Sequence, residues 1–389
     1  MTDSSTIVVI YEIGLLIIVA SLSSELFKRI RLPALIGPTL VGLVIGGPGG
    51  LGLVSNLTII EILGAIGAVL ILFTVGLEFE ASAFWRSGKA AFLLTTGGVA
   101  ISLVVGYLIG SLLGWPPVTS FLLGVVMAPS STSVVASVLN EQGRVDTKAG
   151  QRLLTACVVD DVESILLLTV ALALVSEAAL SIFEGARIVF VAVFFIFASI
   201  YVGGRLFPKL ISRFAKEFSD EVLFAIFLGA GLVFAFVATQ VGLAAITGAF
   251  LMGAVIPYAK VGEKLSHRLL LMKEIFAAVF FASIGLTIDP FDVVNFFPVA
   301  LLVCGTAIAA RLAGGLIGGK LSRIGGKALA TSAVGLAIRG EMSLIIAREA
   351  TSGGIIGGDF LSIAATAVII NLVVVTPVYS RLLRDLHPQ

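Results

Sequence analysis

The sequence predicts an all-α membrane protein with thirteen transmembrane helices arranged as two inverted halves. The first reason is its composition: 58% of the 389 residues are hydrophobic and 13% are charged, whereas a soluble domain carries about 25% charged residues. The second is an uneven distribution of basic residues between alternate loops, and the third is an internal repeat. The mean hydropathy of +1.12 excludes a soluble enzyme and a disordered chain, and the net charge of +1 gives no sign of nucleic-acid binding.

Thirteen apolar stretches are long enough to cross a lipid bilayer, which takes about 20 residues of helix. We place them at 7–27, 33–54, 58–77, 90–113, 118–139, 152–175, 185–205, 221–240, 243–258, 270–287, 296–319, 328–350 and 360–383. The first stretch is expected to stay in the mature chain, because no basic segment precedes it and no cleavage site follows it. The connections are so short that we expect no soluble catalytic or regulatory domain.

The basic residues predict the orientation of these spans. Of the 25 Lys and Arg residues, 21 fall in one set of alternate loops and in the C-terminal tail, and two fall on the opposite side. Because Lys and Arg accumulate in cytoplasmic loops, we expect the N-terminus outside and the C-terminus in the cytoplasm. The expected location is the inner membrane of a prokaryotic cell.

Two segments of the chain resemble each other at nearly one spacing. Residues 32–45 align with 243–256 at an offset of 211, and residues 76–80 align with 285–289 at an offset of 209. A generic likeness of Gly/Leu-rich helices is the alternative explanation. Six spans, one linking span and six further spans would place the halves in opposite orientations. This 6+1+6 inverted-topology repeat is typical of secondary transporters.

Three carboxylates lie within four residues of the sixth span: Asp160, Asp161 and Glu163. A charge at the bilayer centre costs at least ~2.5–3.5 kcal/mol, which indicates a functional role. Roughly 15 Å of helix separates Asp160 from the cytoplasmic end of the span, which disfavours the alternative of acids solvated at a helix end. Adjacent carboxylates cannot both ionise cheaply in a low dielectric, so the pair is predicted to bind a proton or a hard alkali cation.

Two further spans carry interruptions at matching places. Arg311 lies in the middle of the eleventh span and needs a carboxylate partner. Arg339 and Glu341 interrupt the twelfth span, 210 residues after the Pro-Ser-Ser-Thr-Ser run at 129–133 in the fifth. A proline kink satisfied by serine hydroxyls and an arginine that reaches the interface are the alternatives. Broken helices in equivalent positions of two halves instead indicate a transport site.

Five short blocks, taken in order, resemble the monovalent cation:proton antiporter family 2, which groups bacterial and archaeal Na⁺/H⁺ and K⁺/H⁺ exchangers. The blocks are FTVGLE at 73–78, STS at 131–133, VDD at 159–161, FFASIG at 280–285 and RGE at 339–341. The resemblance covers essentially the whole chain. It implies the sodium–proton antiporter fold and a homodimer, in which two discontinuous helices, spans five and twelve, cross beside the paired aspartates.

The resemblance also implies a division into domains. A dimerisation domain would comprise residues 1–89 and 221–295, which hold spans one to three and eight to ten. A core ion-transport domain would comprise residues 90–176 and 296–389, which hold spans four to six and eleven to thirteen. Residues 177–220 would form the linker helix, span seven, and a cytoplasmic loop.

The family pattern implies roles for the residues around the first interruption. Asp161 is expected to bind the ion and to carry the proton, and Asp160 is the second aspartate of the cation site. Ser131, Thr132 and Ser133 match the polar break beside the ion.

Asp160 also matches the aspartate that contacts a basic residue on the eleventh span. Related sodium exchangers usually carry lysine there, whereas this chain carries Arg311. Glu341 is expected near the same base, and Arg339 is a further intramembrane charge partner. Because arginine effectively cannot release its proton, the paired aspartates alone do not establish electrogenic exchange.

Glu163 is a second departure, because the family usually has an apolar residue there. It lies three residues from Asp160 on a neighbouring helical face. It could serve as an added ligand, as a partner of Arg311 or as a pore-lining acid. Candidate structural or gating residues are Glu78, Pro129 and Asn371.

The sequence thus predicts a secondary active antiporter, not an enzyme, that exchanges protons for a monovalent cation by alternating access. Na⁺ is the preferred cation, K⁺ or Li⁺ are the alternatives, and no cofactor is implied. A passive cation channel would also place charges and broken helices at mid-membrane, and a bile-acid-type symporter and a non-transporting sensor are further alternatives. Potassium exchangers of the family often carry a nucleotide-binding regulatory domain, which we do not expect on this chain.

Overall fold

A computed structural model describes residues 4–46, 49–54, 56–78, 81–145, 147–176, 218–240, 243–256, 258–352 and 356–384, and a few single residues or pairs between 190 and 205. Within these ranges, the side chains are described except at 4–6, 78, 81–90, 148, 173–176 and 258–267. Among the described residues, every regular element is a helix. The predicted span at 185–205 lies outside them apart from those few positions.

The chain divides into two compact units. The first comprises Met1–Leu26, Gly37–Ala81 and Leu172–Thr287. Its helices are α1 (Ser4–Arg29), α2 (Ile36–Ile45), α3 (Leu57–Glu78), α8 (Asp220–Gln240), α9 (Ala245–Val255) and α10 (Tyr258–Leu286).

Helix α3 is the centre of packing in the first unit, where it contacts both α9 and α10. Phe73 of α3, Phe227 of α8 and Met252 of α9 are buried in a common apolar cluster. A Cβ at Gly253 would overlap the carbonyl oxygen of Phe73. Glycine at this position therefore lets the backbones of α9 and α3 touch, as small residues do between helices in lipid.

The contact between α3 and α9 has a counterpart between α2 and α10. A Cβ at Gly76 would overlap the carbonyl oxygen of Phe250, and a Cβ at Gly285 would overlap that of Thr39. Phe250 follows Thr39 by 211 residues, and Gly285 follows Gly76 by 209. These spacings are the two offsets of the sequence repeat, so equivalent residues make equivalent contacts.

The second unit comprises Phe27–Ile36, Ser82–Ala171 and Ile288–Gln389. Its helices are α4 (Ala81–Leu112), α5 (Pro117–Met127), α6 (Thr132–Glu141), α7 (Lys148–Ser176), α11 (Pro290–Asn295), α12 (Phe297–Leu321), α13 (Gly326–Leu336), α14 (Glu341–Ser352) and α15 (Gly358–Arg384). Helix α12 packs against α13 and α15, and α14 packs against α15 and α5.

Nine segments in the described part of the chain are helical, long and apolar enough to cross a membrane. Each predicted span outside 33–54 and 185–205 overlaps a helix or two consecutive half-helices. Two of these segments are interrupted: the predicted span at 118–139 is divided into α5 and α6, and the one at 328–350 into α13 and α14. Helix α7 carries the three intramembrane carboxylates, and α4 and α10 begin earlier than the apolar windows indicated.

The prediction of a full helix over 33–54 is wrong. Helix α2 covers only Ile36–Ile45, and the chain then turns back, with the N–H of Leu51 donating to the carbonyl of Val44 at 2.8 Å. The cause is the Gly-Gly-Pro-Gly-Gly run at 46–50, because proline cannot continue a helical hydrogen-bond ladder and Gly49 adopts a positive φ of 92°. An apolar window does not register this interruption.

Candidate ion-binding site

The two interrupted helices of the second unit meet at their breaks. Helix α5 ends at Met127 and α6 begins at Thr132, while α13 ends at Leu336 and α14 begins at Glu341. The backbone N–H of Ser131 donates to the carbonyl of Ile338 at 2.8 Å. Backbone groups that a broken helix frees must find partners inside the protein, and here one break supplies a partner to the other.

Close approach at this point depends on Gly340. A Cβ on Gly340 would overlap the hydroxyl of Ser131. The same hydroxyl caps α6 by accepting from the N–H of Val134 at 3.4 Å. The contact between Gly340 and Ser131 therefore places the start of α6 directly against the second break.

Asn371 of α15 holds the backbone of the second break. Its Oδ1 accepts from the N–H of Arg339 at 2.7 Å, and its Nδ2 donates to the carbonyl of Ala337 at 3.1 Å. Asn371 is fully buried, so the two bonds satisfy groups that water does not reach. The structure thus gives this predicted structural or gating residue a definite partner on each side of the break.

The Arg339 side chain turns towards the first break. Its Nη1 donates to the carbonyl of Ala128 at 3.1 Å and to that of Pro129. These carbonyls lie at the C-terminal end of α5, where the helix dipole is negative. Arg339 is only 3% exposed, so it does not reach an interface.

Arg311 of α12 pairs with Asp160 of α7. The distance from Nη2 to the Asp160 Oδ2 is 2.5 Å, and both side chains are buried. The guanidinium also donates at 3.3 Å to the carbonyl of Thr95 through Nη1 and to that of Leu336 through Nε. Arg311 therefore neutralises Asp160 and the C-terminal end of α13 together.

Asp160 receives a second bond from the first break. The N–H of Ser130 donates to its Oδ2 at 2.8 Å, which brings negative charge to the N-terminal end of α6. Asp160 is thus held between the base on α12 and the break between α5 and α6.

Asp161 has a different environment from its neighbour. Its Oδ2 accepts from the hydroxyl of Thr132 at 2.8 Å. Its Oδ1 is buried and meets no hydrogen-bond donor among the described residues, and no basic side chain among them pairs with it. The Asp161 side chain is 1% exposed, so an open carboxylate oxygen lies inside the unit beside a hydroxyl.

Glu341 makes its hydrogen bonds to the first break. Its Oε2 accepts from the hydroxyl of Ser131 at 2.6 Å and its Oε1 from the N–H of Ser133 at 3.1 Å. Within the described part of the chain, the hydrogen bonds of Arg311 go instead to Asp160 and to two backbone carbonyls. The carboxylate of Glu341 is therefore a partner of the first break and not of the base on α12.

Glu163 is bound by a residue that the sequence did not single out. Its Oε1 accepts from the hydroxyl of Thr96 on α4 at 2.5 Å, and its Oε2 is buried without a donor among the described residues. This contact does not involve Arg311. The only sequence signal was the Thr-Thr pair at 95–96 in an apolar segment, where Thr95 supplies a carbonyl to Arg311 and Thr96 supplies a hydroxyl. The side chain of Glu78, the last residue of α3, lies outside the described side chains.

The model of the family described as "Sodium/hydrogen exchanger, transmembrane" matches residues 14–384. The chain belongs to the sodium/hydrogen exchanger family. Membership confirms the resemblance to monovalent cation:proton antiporters, and this exchanger is an integral membrane protein.

Two relatives of this exchanger are named as antiporters. The Na(+)/H(+)-K(+) antiporter GerN of Bacillus cereus is 26% identical over 371 residues, which cover 94% of each chain. The Na(+)/H(+) antiporter of Enterococcus hirae is 26% identical over 361 residues, which cover 92% of this chain and 94% of the relative. The solved structure of the sodium proton antiporter MjNhaP1 from Methanocaldococcus jannaschii matches 99% of both chains with a TM-score of 0.77 at 18% identity. The exchanger shares the fold of that structure.

The charged residues of the exchanger's site therefore fall into two groups that differ in their partners. Asp160, Arg311 and Arg339 are paired with each other or with helix ends, and their contacts hold the two breaks together. Asp161 and Glu341 accept hydrogen bonds from residues 131–133 and have no basic partner among the described residues. Carboxylate and hydroxyl oxygens are the ligands that hard cations prefer, and Asp161, Glu341 and Thr132 supply such oxygens beside the start of α6.

Proposed function

We propose that this chain is a secondary active antiporter that exchanges protons for a monovalent cation, preferably Na⁺, at Asp161. The observation that carries the proposal is the contrast between the two adjacent aspartates. Asp160 is compensated by Arg311 at 2.5 Å, whereas Asp161 accepts from the hydroxyl of Thr132 and pairs with no base among the described residues. The Oδ1 of each aspartate is buried without a donor among those residues.

The physical reason for coupling is the cost of an uncompensated buried charge. An ionised carboxylate without a partner is strongly destabilising in a low dielectric. Asp161 is therefore occupied by a proton or by a cation whenever it is closed off from water, and the two compete for one group. Exchange then needs no covalent step and no cofactor.

The ion pair beside the site has a fixed charge. Arginine effectively cannot be deprotonated in a protein, and its guanidinium is held by Asp160 and two carbonyls. We therefore assign Asp160 and Arg311 to positioning the breaks, and the exchanged proton to Asp161.

We also propose the architecture that the exchange needs. Thirteen spans in a 6+1+6 inverted repeat would place the N-terminus outside and the C-terminus in the cytoplasm of a prokaryotic cell. The repeated glycine contacts of α3 with α9 and of α2 with α10 support the inverted repeat. The first compact unit would be the dimerisation domain of a homodimer, and the second would be the core that carries the site alternately to each side of the membrane.

The preference for Na⁺ rests on the relatives, which are named as Na⁺/H⁺ antiporters. GerN is also named for K⁺, so K⁺/H⁺ exchange is the alternative within the same mechanism. A passive channel would use the same residues without counter-transport.

The test uses purified protein in liposomes that contain a pH-sensitive dye. We expect Na⁺ addition to move protons in the opposite direction, and Asp161→Asn to abolish this movement. Asp292→Asn on α11 makes the same chemical change away from the site and should retain the Na⁺-driven proton movement.

A panel of Na⁺, Li⁺ and K⁺, with and without a voltage clamp by ionophore, gives the ion preference and the electrogenicity. Full exchange by the Asp161→Asn variant would overturn the assignment, and cation flux without proton movement would indicate a channel.

A further inference from the structure

We propose that Glu341 is a direct ligand of the transported cation, so that the ion lies between two carboxylates, Asp161 from α7 and Glu341 from α14. This inference rests on the proposed function and assigns a second binding residue to the same site. The contacts of Glu341 differ from those that the family resemblance implied, which placed this acid beside the base on the eleventh span.

One segment of three consecutive residues supplies the hydrogen bonds to both carboxylates. Thr132 donates its hydroxyl to Asp161 at 2.8 Å, while Ser131 and Ser133 donate a hydroxyl and an N–H to Glu341 at 2.6 and 3.1 Å. The short polar segment at the start of α6 therefore brings the two acids to one place.

Among the described side chains, no base forms an ion pair or a hydrogen bond with either of these two acids. Of the two buried arginines, Arg311 is directed to Asp160 and to backbone carbonyls, and Arg339 is directed to the carbonyls at the end of α5. Two carboxylates without a base are the kind of environment that attracts a cation. Because no described base contacts either carboxylate, a bound Na⁺ would lower the cost of burial for both.

The carboxylate oxygens of Asp161 and Glu341 also have lone pairs left to bind a metal ion. A carboxylate offers about four lone-pair sites, and each oxygen of Glu341 accepts one hydrogen bond from the break. The Oδ1 of Asp161 accepts none among the described residues. Together with the Thr132 hydroxyl, the site offers the all-oxygen ligand set of a hard cation.

A purely structural role is the competing explanation, since Glu341 joins α14 to the start of α6. Substitution by Gln separates the two. The amide oxygen can accept from the N–H of Ser133, and the amide nitrogen can donate to the hydroxyl of Ser131, whose own proton is free to turn away. Glu341→Gln therefore keeps both contacts and removes only the charge.

The experiment measures Na⁺ binding and transport separately. In detergent, the rise in melting temperature caused by NaCl, relative to choline chloride, should vanish in Glu341→Gln. In liposomes, the KM for Na⁺ should rise at least tenfold while the maximal rate changes far less. Glu349→Gln removes a charge from the same helix and should behave as the native protein. If Glu341→Gln does not fold, Glu341→Asp keeps the charge on a shorter side chain and should raise the KM and change the Na⁺ to Li⁺ preference.

The outcomes distinguish the two proposals. A native protein that moves no protons in response to any cation would remove the proposed function and this inference together. Loss of exchange in Asp161→Asn, with an unchanged KM and an unchanged Na⁺-dependent melting temperature in Glu341→Gln, would overturn this inference alone. An unchanged KM and ion preference in Glu341→Asp would do the same.

Discussion

The Oδ2 of Asp160 and the Nη2 of Arg311 lie 2.5 Å apart in a pair from which solvent is excluded. The pair connects α7 to α12, and the same guanidinium donates to the carbonyl of Leu336, at the end of α13. One side chain therefore compensates a buried acid and a half-helix terminus at once. Its removal would leave both uncompensated.

We expect Arg311→Ala to destabilise the protein, because a buried carboxylate without its base costs about 3–5 kcal/mol. Thermal unfolding in detergent should show a clearly lower melting temperature. Lys320→Ala, at the exposed end of the same helix, is the matched control and should change it little. A melting temperature equal to that of the native protein would contradict the stabilising role of the pair.

Asn371→Ala should destabilise the second break. The substitution leaves the N–H of Arg339 and the carbonyl of Ala337 buried without partners, at about 1–3 kcal/mol for each group. Asn371→Asp keeps the acceptor and loses the donor, so its melting temperature should lie between those of the native protein and Asn371→Ala. Thermal unfolding checks the order, with the exposed Asn295→Ala as control. Equal stability of all these variants would rule out Asn371 as the support of the break.

Gly340→Ala should impair exchange without changing any charge. The added Cβ would displace the hydroxyl of Ser131, which caps α6 and bonds Glu341. Initial rates in liposomes should drop strongly. Gly305→Ala on α12, where a Cβ meets open space, should retain the native rate. Native exchange by Gly340→Ala would show that the close approach is not needed.

Thr96→Val should lower the melting temperature, because Glu163 loses its hydroxyl donor while its carboxylate stays buried. An unsatisfied buried group costs about 1–3 kcal/mol, whereas replacing both partners by apolar groups can be nearly neutral. The double variant Thr96→Val with Glu163→Leu should thus recover stability. Thr155→Val on α7, a half-buried position whose hydroxyl makes a solvent-exposed hydrogen bond, serves as control. No recovery in the double variant would mean that Glu163 has another buried partner.

Much of the helical layout could be predicted from the sequence, because the membrane imposes one rule on every span. An apolar window of about 20 residues indicates a spanning helix wherever it occurs, and the windows agree with the helices at 220–240 and 297–321. The rule fails at 33–54, where the glycine and proline run ends α2 at Ile45. Hydropathy measures the transfer of side chains and is insensitive to backbone geometry.

The residues of the candidate site could be predicted from the sequence more completely than their hydrogen-bond and ion-pair partners. A charge inside a membrane is costly, so charged residues in apolar segments can be identified from the sequence alone. These residues are Asp160, Asp161, Arg311 and Glu341. Glu341 was expected near Arg311, and its hydrogen bonds go to the segment at 131–133. Thr96 carried no charge, so nothing in the sequence connected it to Glu163.

The sequence by itself determined which segments are apolar enough for the membrane, where the fifth and twelfth spans break and which charges need compensation, because these follow from the cost of transfer into lipid and from local backbone chemistry. Only the tertiary structure decided which charge meets which partner. Helices 150 or more residues apart in the chain bring these groups together, as Asp160 and Arg311 show, and the packing of glycine-lined backbones sets those distances. Asp161 and Glu341 differ from Asp160 for that reason: the fold directs Arg311 to Asp160 and Arg339 to the end of α5, while residues 131–133 bond the other two acids.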